Sequence, residues 1–429
     1  MKNILVLILC LGVLSAHAQQ KMVISLDSAI SYAILHNKVL INSRYSIDKS
    51  QQQVREAIAQ GLPQVSAKLD YTNYLGAEAS LQLNPMAPPI IIEFNPTSNF
   101  QASVSQLVFN GSYYVGVQLT KLAKLMTEQS YQKDEMNIKE QTTQAYYMIL
   151  ASEKILQTMR ENKRNAQIIY DKTQHLANAG ILEPIEAKKL SVMLTSVDNA
   201  IKSSERQVEL AYNLLRFQLG LNANEPIELA TPLEEIIEKM MDSNKANEDF
   251  SVQNNIDYQL ISKRVELARK TIDLRKASYL PSVVAFYSYT EKIQKAAFDM
   301  QPNNILGLSL NIPVFSSGLR LAQLNQAKVD YLISQNTQEL VKQQLSTQEK
   351  QLRYNYLNLM EQYMNQKNNV EIAKEVLDNM NLKYQQGVVS SLELTSANNN
   401  YLNAEISFTG TILELLNSEL SLRKINNKL

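Results

Sequence analysis

The chain has 429 residues, with 42 basic and 42 acidic side chains and a formal net charge of zero. That balance leaves no basic footprint for nucleic acid. With three histidines, one cysteine, no glycine-rich phosphate loop and no nucleophile–histidine motif, no enzyme, cofactor or metal site is expected.

Residues 1–18 read as a secretory signal peptide. Lys2 supplies the positive start, Ile4 to Leu14 is apolar, and Ala16-His17-Ala18 is a small-x-small cleavage site. The apolar stretch is shorter than the roughly 20 residues of a membrane span. Cys10 follows Leu9 inside it, unlike the small residue that precedes a lipoprotein cysteine, and cleavage removes this only cysteine. His36 and His175 then remain, both in helical patterns that suit capping or solvation.

Ser25 and Asp27 precede an apolar pattern, Leu26, Ala29, Ile30, Ala33 and Ile34, that fits an amphipathic helix. A second helix runs from about Leu40 to Gln60 and stops at Gly61-Leu62-Pro63. The period then changes to two: Val65, Ala67, Leu69 and Tyr71 alternate with Ser66, Lys68, Asp70 and Thr72. That is a strand with one apolar and one wet face. A loop from about Gly76 to Ser98 carries Pro85, Pro88, Pro89 and Pro96. A second strand, Asn99 to Phe109, feeds through Asn110-Gly111 into a helix reaching about Ala177, and a return helix runs from Pro184 to about Leu219. At about 1.5 Å per residue, the helix between Gly111 and Gly180 is roughly 100 Å long.

This programme is then repeated. Gly111 and Gly180 recur as Gly318 and Gly387 at an offset of 207 residues. Between them Tyr147, Leu150, Ala166 and Asp171 recur as Tyr354, Leu357, Ala373 and Asp378, and Ile185-Glu186 recurs as Leu392-Glu393. A fixed period implies two copies of one supersecondary unit. The expected domains are therefore the signal at 1–18, a first repeat at 19–220, an inter-repeat linker or equatorial segment at 221–253, and a second repeat at 254–429. Membrane strands are placed near 64–75, 99–109, 282–291 and 304–315, and long helical hairpins at 111–219 and 318–429. The second long helix carries a heptad seam, Leu352, Tyr356, Leu359, Tyr363, Val370, Leu377 and Tyr384, which favours left-handed coiled-coil packing.

Four strands cannot close a barrel, which needs about eight, and open edges go unsatisfied in lipid. Three chains would supply twelve strands with the alternation of an outer-membrane barrel. Tyr71, Tyr74, Phe100, Tyr287, Tyr289 and Phe315 would supply its aromatic girdles. A soluble sandwich would use the same four strands.

The order helix–strand–strand–long helix–return helix, written twice behind a signal, resembles the TolC-like outer membrane efflux proteins over nearly the whole mature chain. The marks are the junctions Val108-Phe109-Asn110-Gly111 and Val314-Phe315-Ser316-Ser317-Gly318, and the turns Gly180 to Glu186 and Gly387 to Glu393. The resemblance implies a mainly α fold with four transmembrane β-strands. Tandem-repeat helical hairpins would form a trimeric α-barrel tunnel joined to a twelve-stranded outer-membrane β-barrel. It implies a homotrimer set in outer-membrane lipid, extending into the periplasm. Its partners would be a periplasmic adaptor and an inner-membrane pump of RND, ABC or MFS type, in a tripartite efflux or type I secretion system. The alternative is the adaptor itself, which has a long hairpin but normally only one.

The turns at Gly180 and Gly387 would form the periplasmic gate. The acids that the family carries six and nine positions after the second glycine correspond to Glu393 and Ser396, so one is kept. Three copies of Glu393 would make a carboxylate ring that attracts cations. The family's latch of tyrosine, arginine and acid corresponds to Tyr384, Val389 and Glu186. The arginine is absent, and a Tyr384–Glu186 hydrogen bond is the expected remnant.

Overall fold

The computed structural model describes residues 21–82, 88–242, 249–295 and 301–429. The signal peptide, with Cys10, lies outside the described residues.

Eight helices are described: α1 (Leu26–His36), α2 (Lys38–Ala59), α3 (Gly111–Asn178), α4 (Pro184–Leu219), α5 (Leu233–Asp242), α6 (Ile256–Ala277), α7 (Leu319–Gln385) and α8 (Ser391–Ile425). The strands are β1 (Met22–Ile24), β2 (Gln64–Thr72), β3 (Glu78–Leu81), β4 (Ile90–Glu93), β5 (Thr97–Asn110), β6 (Ile227–Leu229), β7 (Ser282–Gln294) and β8 (Asn304–Asn311). Ser25 caps α1, its side chain accepting from the Ser28 amide at 3.3 Å. The start of α2 meets α3 within the first unit: the Ser43 hydroxyl donates to Asp134 at 2.6 Å and Arg44 to the Tyr131 hydroxyl at 3.3 Å.

The chain forms two compact units. In the first, Tyr131–Tyr258 and Lys342–Leu429 join the segment up to Arg44. Its core draws Ala29 and Ala33 from α1, Ala145, Tyr146 and Ile149 from α3, Leu215 and Leu219 from α4, and Leu415 and Leu416 from α8. Each large apolar side chain buried there contributes about 1.5–3 kcal/mol. Tyr146 is fully buried, and its hydroxyl donates to the Ile24 carbonyl at 3.1 Å and accepts from the Thr231 amide at 3.1 Å. A buried phenol needs such partners, and these fasten the N-terminal strand and the inter-repeat segment to one residue of α3.

The inter-repeat segment is more ordered than a linker. Residues 227–229 form β6, which pairs in parallel with β1, and α5 buries Leu233, Ile236 and Met240 in the core. Part of the segment, 243–248, lies outside the described residues.

The second unit comprises Tyr45–Ser130 and Gln259–Val341. It contains an antiparallel sheet in the order β2-β5-β7-β8. Directly opposed residues share a face, so the register shows what each face carries. Val65, Ala67 and Leu69 oppose Val104, Ala102 and Phe100; Tyr287, Ala285 and Val283 oppose Leu306, Leu308 and Leu310. Val104 also opposes Tyr287, which joins the two sets into one apolar face. The other face carries Ser66, Ser103 and Ser288 in one row, and Lys68, Gln101 and Thr290 in another. The apolar face is uncovered: Val65 is 77% exposed, Leu69 67% and Leu306 82%.

Several expected boundaries differ: β2 ends at Thr72 rather than near 75, and β7 runs on to Gln294 rather than 291. The expected loop at 76–98 contains a hairpin, β3 paired with β4, although residues 83–87 lie outside the described residues. The fourth strand ends at Asn311 rather than near 315. Pro313 has no amide to give a ladder, and Ser317 and Gly318 take positive φ of 48° and 81°, which turns the chain before α7 begins at Leu319.

Candidate functional site: the paired helix turns

The turns after α3 and α7 are built alike. Gly180 and Gly387 adopt φ of 71° and 74°, a left-handed conformation that glycine reaches without strain. The Ile181 amide donates to Leu176 and the Gly180 amide to Ala177; the Val388 amide donates to Lys383 and the Gly387 amide to Tyr384. Both are Schellman closures, which satisfy the last carbonyls of each helix. Beyond each glycine an apolar pair stands exposed in equivalent positions: Ile181 and Ile185, then Val388 and Leu392.

One sequence difference between the repeats decides the electrostatics. Ser390 caps α8, and its amide and hydroxyl both donate to the Glu393 carboxylate, at 2.8 and 3.0 Å, while its Oγ accepts from the Glu393 amide. These bonds hold the exposed Glu393 carboxyl below the usual carboxylate range, the Ser390 amide contributing most. The first repeat has Glu183 at the cap and Pro184 next, with no side-chain cap bond. Glu186, the repeat-equivalent of Glu393, is therefore not held by its own cap. It pairs with Lys189 at 2.7 Å and accepts from the hydroxyl of Ser391, on the second hairpin. Lys189 first, then Ser391, pull its pKa below the ordinary value.

The expected Tyr384–Glu186 bond is not the one formed. The Tyr384 hydroxyl lies 2.7 Å from Thr173 Oγ1, and the Thr173 hydroxyl itself lies 2.8 Å from the Ile169 carbonyl. That carbonyl can only accept, so Thr173 donates to it and Tyr384 donates to Thr173. The acid is instead engaged by Ser391. Two bonds thus join the hairpin tips, Tyr384–Thr173 and Ser391–Glu186, around a cavity of about 420 Å³ that is also lined by Leu176, Leu182 and Val389. Val389 is half-buried in its wall, in the position of the absent arginine, while Ser396 is exposed on α8.

The sequence pattern of the outer membrane efflux protein family matches residues 29–221 and again residues 251–428. The chain belongs to that family. It is an efflux channel of the outer membrane, reaching into the periplasm, and a member of a transport family rather than an enzyme family. TtgC of Pseudomonas putida, a probable efflux pump outer membrane protein, is 22% identical over 412 residues, covering 93% of this chain and 82% of its own. The outer membrane protein TolC of Escherichia coli is 20% identical over 435 aligned positions, covering 99% and 86%. The MtrE outer membrane channel of Neisseria gonorrhoeae, solved in its open state, has the same fold. Its TM-score is 0.72 at 15% identity, over 93% of this chain and 88% of that one. The double match parallels the internal repeat, and a strand–hairpin unit written twice does not suit the adaptor alternative.

Sequence reasoning did not single out Thr173 or Ser391. Thr173 stands 207 residues before Met380, which packs in the core of the second hairpin, so a hydroxyl at that repeat position is a legible signal. Ser391 is the residue after the cap, and nothing in its spacing points to Glu186.

Proposed function

We propose that three copies of this channel close a twelve-stranded β-barrel in outer-membrane lipid and a tunnel of helical hairpins across the periplasm. The division into signal, two repeats and an equatorial segment serves that assembly. The observation that carries the reading is that, among the described residues, β2 and β8 each have an unpaired edge. In the order β2-β5-β7-β8 every neighbour is antiparallel, so β8 of one copy runs opposite to β2 of the next. A head-to-tail contact of this kind closes into a ring when the rotation allows. Closure removes the edges and turns the apolar face to lipid.

The helices repeat the argument. Tyr354, Leu357, Met364, Ile372 and Val376 are exposed along α7, and Ile185, Val192, Leu210, Leu214 and Phe217 along α4. Apolar rows uncovered on both suit contact between neighbouring copies. The tips, with Gly180, Gly387, Tyr384, Glu186, Val389, Glu393 and Ser396, form the periplasmic gate. Their exposed apolar pairs, two per copy and six per ring, offer an adaptor a repeating footing, through which an inner-membrane pump is joined.

The test is cross-linking with a long bismaleimide after Ser66→Cys on β2 and Ser309→Cys on β8. The double variant is expected to give dimer and trimer bands and nothing larger, and each single variant no trimer. A monomer band alone, or a ladder beyond three, contradicts the ring.

A further inference from the structure

Toward the turns, each hairpin keeps an apolar core of its own. Leu156, Val197 and Ile201, with Met159 and Val208, belong to α3 and α4. Leu377, Leu394 and Ala397, with Met380, Tyr384 and Tyr401, belong to α7 and α8, and Ile169 is the side chain that α3 adds to them. Ion pairs also stay within the first hairpin, Arg160 with Glu205 and Lys163 with Asp198. Two bodies with separate cores can move against each other, so what joins them decides how.

Besides the packing of Ile169, three hydrogen-bonded side-chain pairs among the described residues bridge the hairpins in this stretch. Two are the tip bonds, Tyr384–Thr173 and Ser391–Glu186. The third is Asn162 of α3 with Asn398 of α8, which exchange two amide bonds, each 3.0 Å, at 5% and 7% exposure. The three differ in what separation leaves behind. When Tyr384 departs, the Thr173 hydroxyl keeps the Ile169 carbonyl; when Ser391 departs, Glu186 keeps Lys189. The two asparagines bond only to each other among the described side chains, and they are buried. Sliding α8 along α3 would leave four buried amide groups without partners, the costliest outcome for a polar group. Rotation about the pair keeps both bonds. A buried asparagine in an apolar seam fixes register in the same way.

We propose that the Asn162–Asn398 pair is the fixed pivot between the two hairpins, about which the tips swing apart when Tyr384–Thr173 and Ser391–Glu186 release. The inference rests on the channel reading. Asn162 lies eighteen residues before Gly180, a lever of about 27 Å along the helix. A tilt of about 10° at the pivot therefore moves the turn by about 5 Å.

Two cysteine pairs test this, each bridged by a short reducible thiol cross-linker in the full-length channel. One pair is Asn162→Cys with Asn398→Cys, the other Thr173→Cys with Tyr384→Cys. Bridging at 162 and 398 is expected to leave bilayer conductance within about twofold of the unbridged variant. Bridging at 173 and 384 is expected to lower it at least tenfold, restored by reductant. Equal loss at both sites overturns the pivot. Should the asparagine replacements prevent assembly, spin labels on exposed positions decide the matter. Distances are compared between the native channel and the combined Glu186→Gln, Tyr384→Phe variant. The Asp171→Cys and Gln386→Cys pair should lengthen while the Arg164→Cys and Asn399→Cys pair stays constant; equal lengthening of both overturns the proposal. Absence of conductance even from the combined Glu186→Gln, Tyr384→Phe variant would instead sink the channel reading on which it rests.

Discussion

Replacing Glu186 by glutamine isolates the bond that joins the tips through a charge. In the native channel its carboxylate accepts from Ser391 on the second hairpin and pairs with Lys189 on its own helix. A hydrogen bond to a charged group contributes about 1.5–3 kcal/mol. Glutamine can still accept from Ser391, so the replacement removes only the charge-assisted part of the bond; with the Glu186 side chain 22% exposed and partly screened by water, that part is about 1 kcal/mol per copy. If three copies open together, the closed form loses about 3 kcal/mol, which is about a hundredfold in the open-to-closed ratio. Planar-bilayer recordings of purified protein read that ratio directly, and Tyr384→Phe added to Glu186→Gln should raise it further. The pH dependence has a fixed sign. The Glu186 pKa is lowered in the folded tip, by Lys189 first and Ser391 second. Lys189 stays with Glu186 when the tips part, so only the Ser391 share of that lowering couples to opening; it is fully present above the ordinary carboxylate value of about 4.3 and is lost as pH falls through the lowered value. Acidification from about pH 4.3 downward should open the native channel, and Glu186→Gln should lack that component while keeping any due to Glu393. An open-to-closed ratio unchanged within twofold, or an acid response untouched by Glu186→Gln, refutes the latch.

Glu393→Gln should reduce cation preference, seen as a smaller reversal potential in a salt gradient; unchanged selectivity removes Glu393 from the filter. Because glutamine can still accept from Ser390, thermal stability should hold, which separates the ring charge from the helix cap. Tyr146→Phe should destabilise the first unit by about 1–3 kcal/mol, since the Ile24 carbonyl and Thr231 amide lose a buried partner. Chemical denaturation measures it, and a loss below about 0.5 kcal/mol would mean that water replaces the hydroxyl.

Much of the architecture was legible because two periods are clean. Alternation at Val65, Ala67, Leu69 and Tyr71 requires a half-apolar strand, and β2 lies at Gln64–Thr72. The glycine pairs mark the helix ends because Gly180 and Gly387 take positive φ. The inter-repeat segment was less legible because Pro226 and Pro232 interrupt its pattern. Pro232 in fact directly precedes α5, and Leu233, Ile236 and Met240 already carried a helical spacing. The β3–β4 hairpin was hidden among prolines. At the gate, the residue types were legible and the pairings were not. Glu183 in place of a capping serine leaves Glu186 available to Ser391, a contact between segments about two hundred residues apart that no local pattern encodes.

The central claim is threefold closure, and the mass of the native particle tests it most directly. Native mass spectrometry of the detergent-extracted outer-membrane protein should show three copies of the chain, converting to single chains on heating. A folded single chain that stays monodisperse in water without detergent would contradict the account, because its free edges and apolar sheet face would then need no partner.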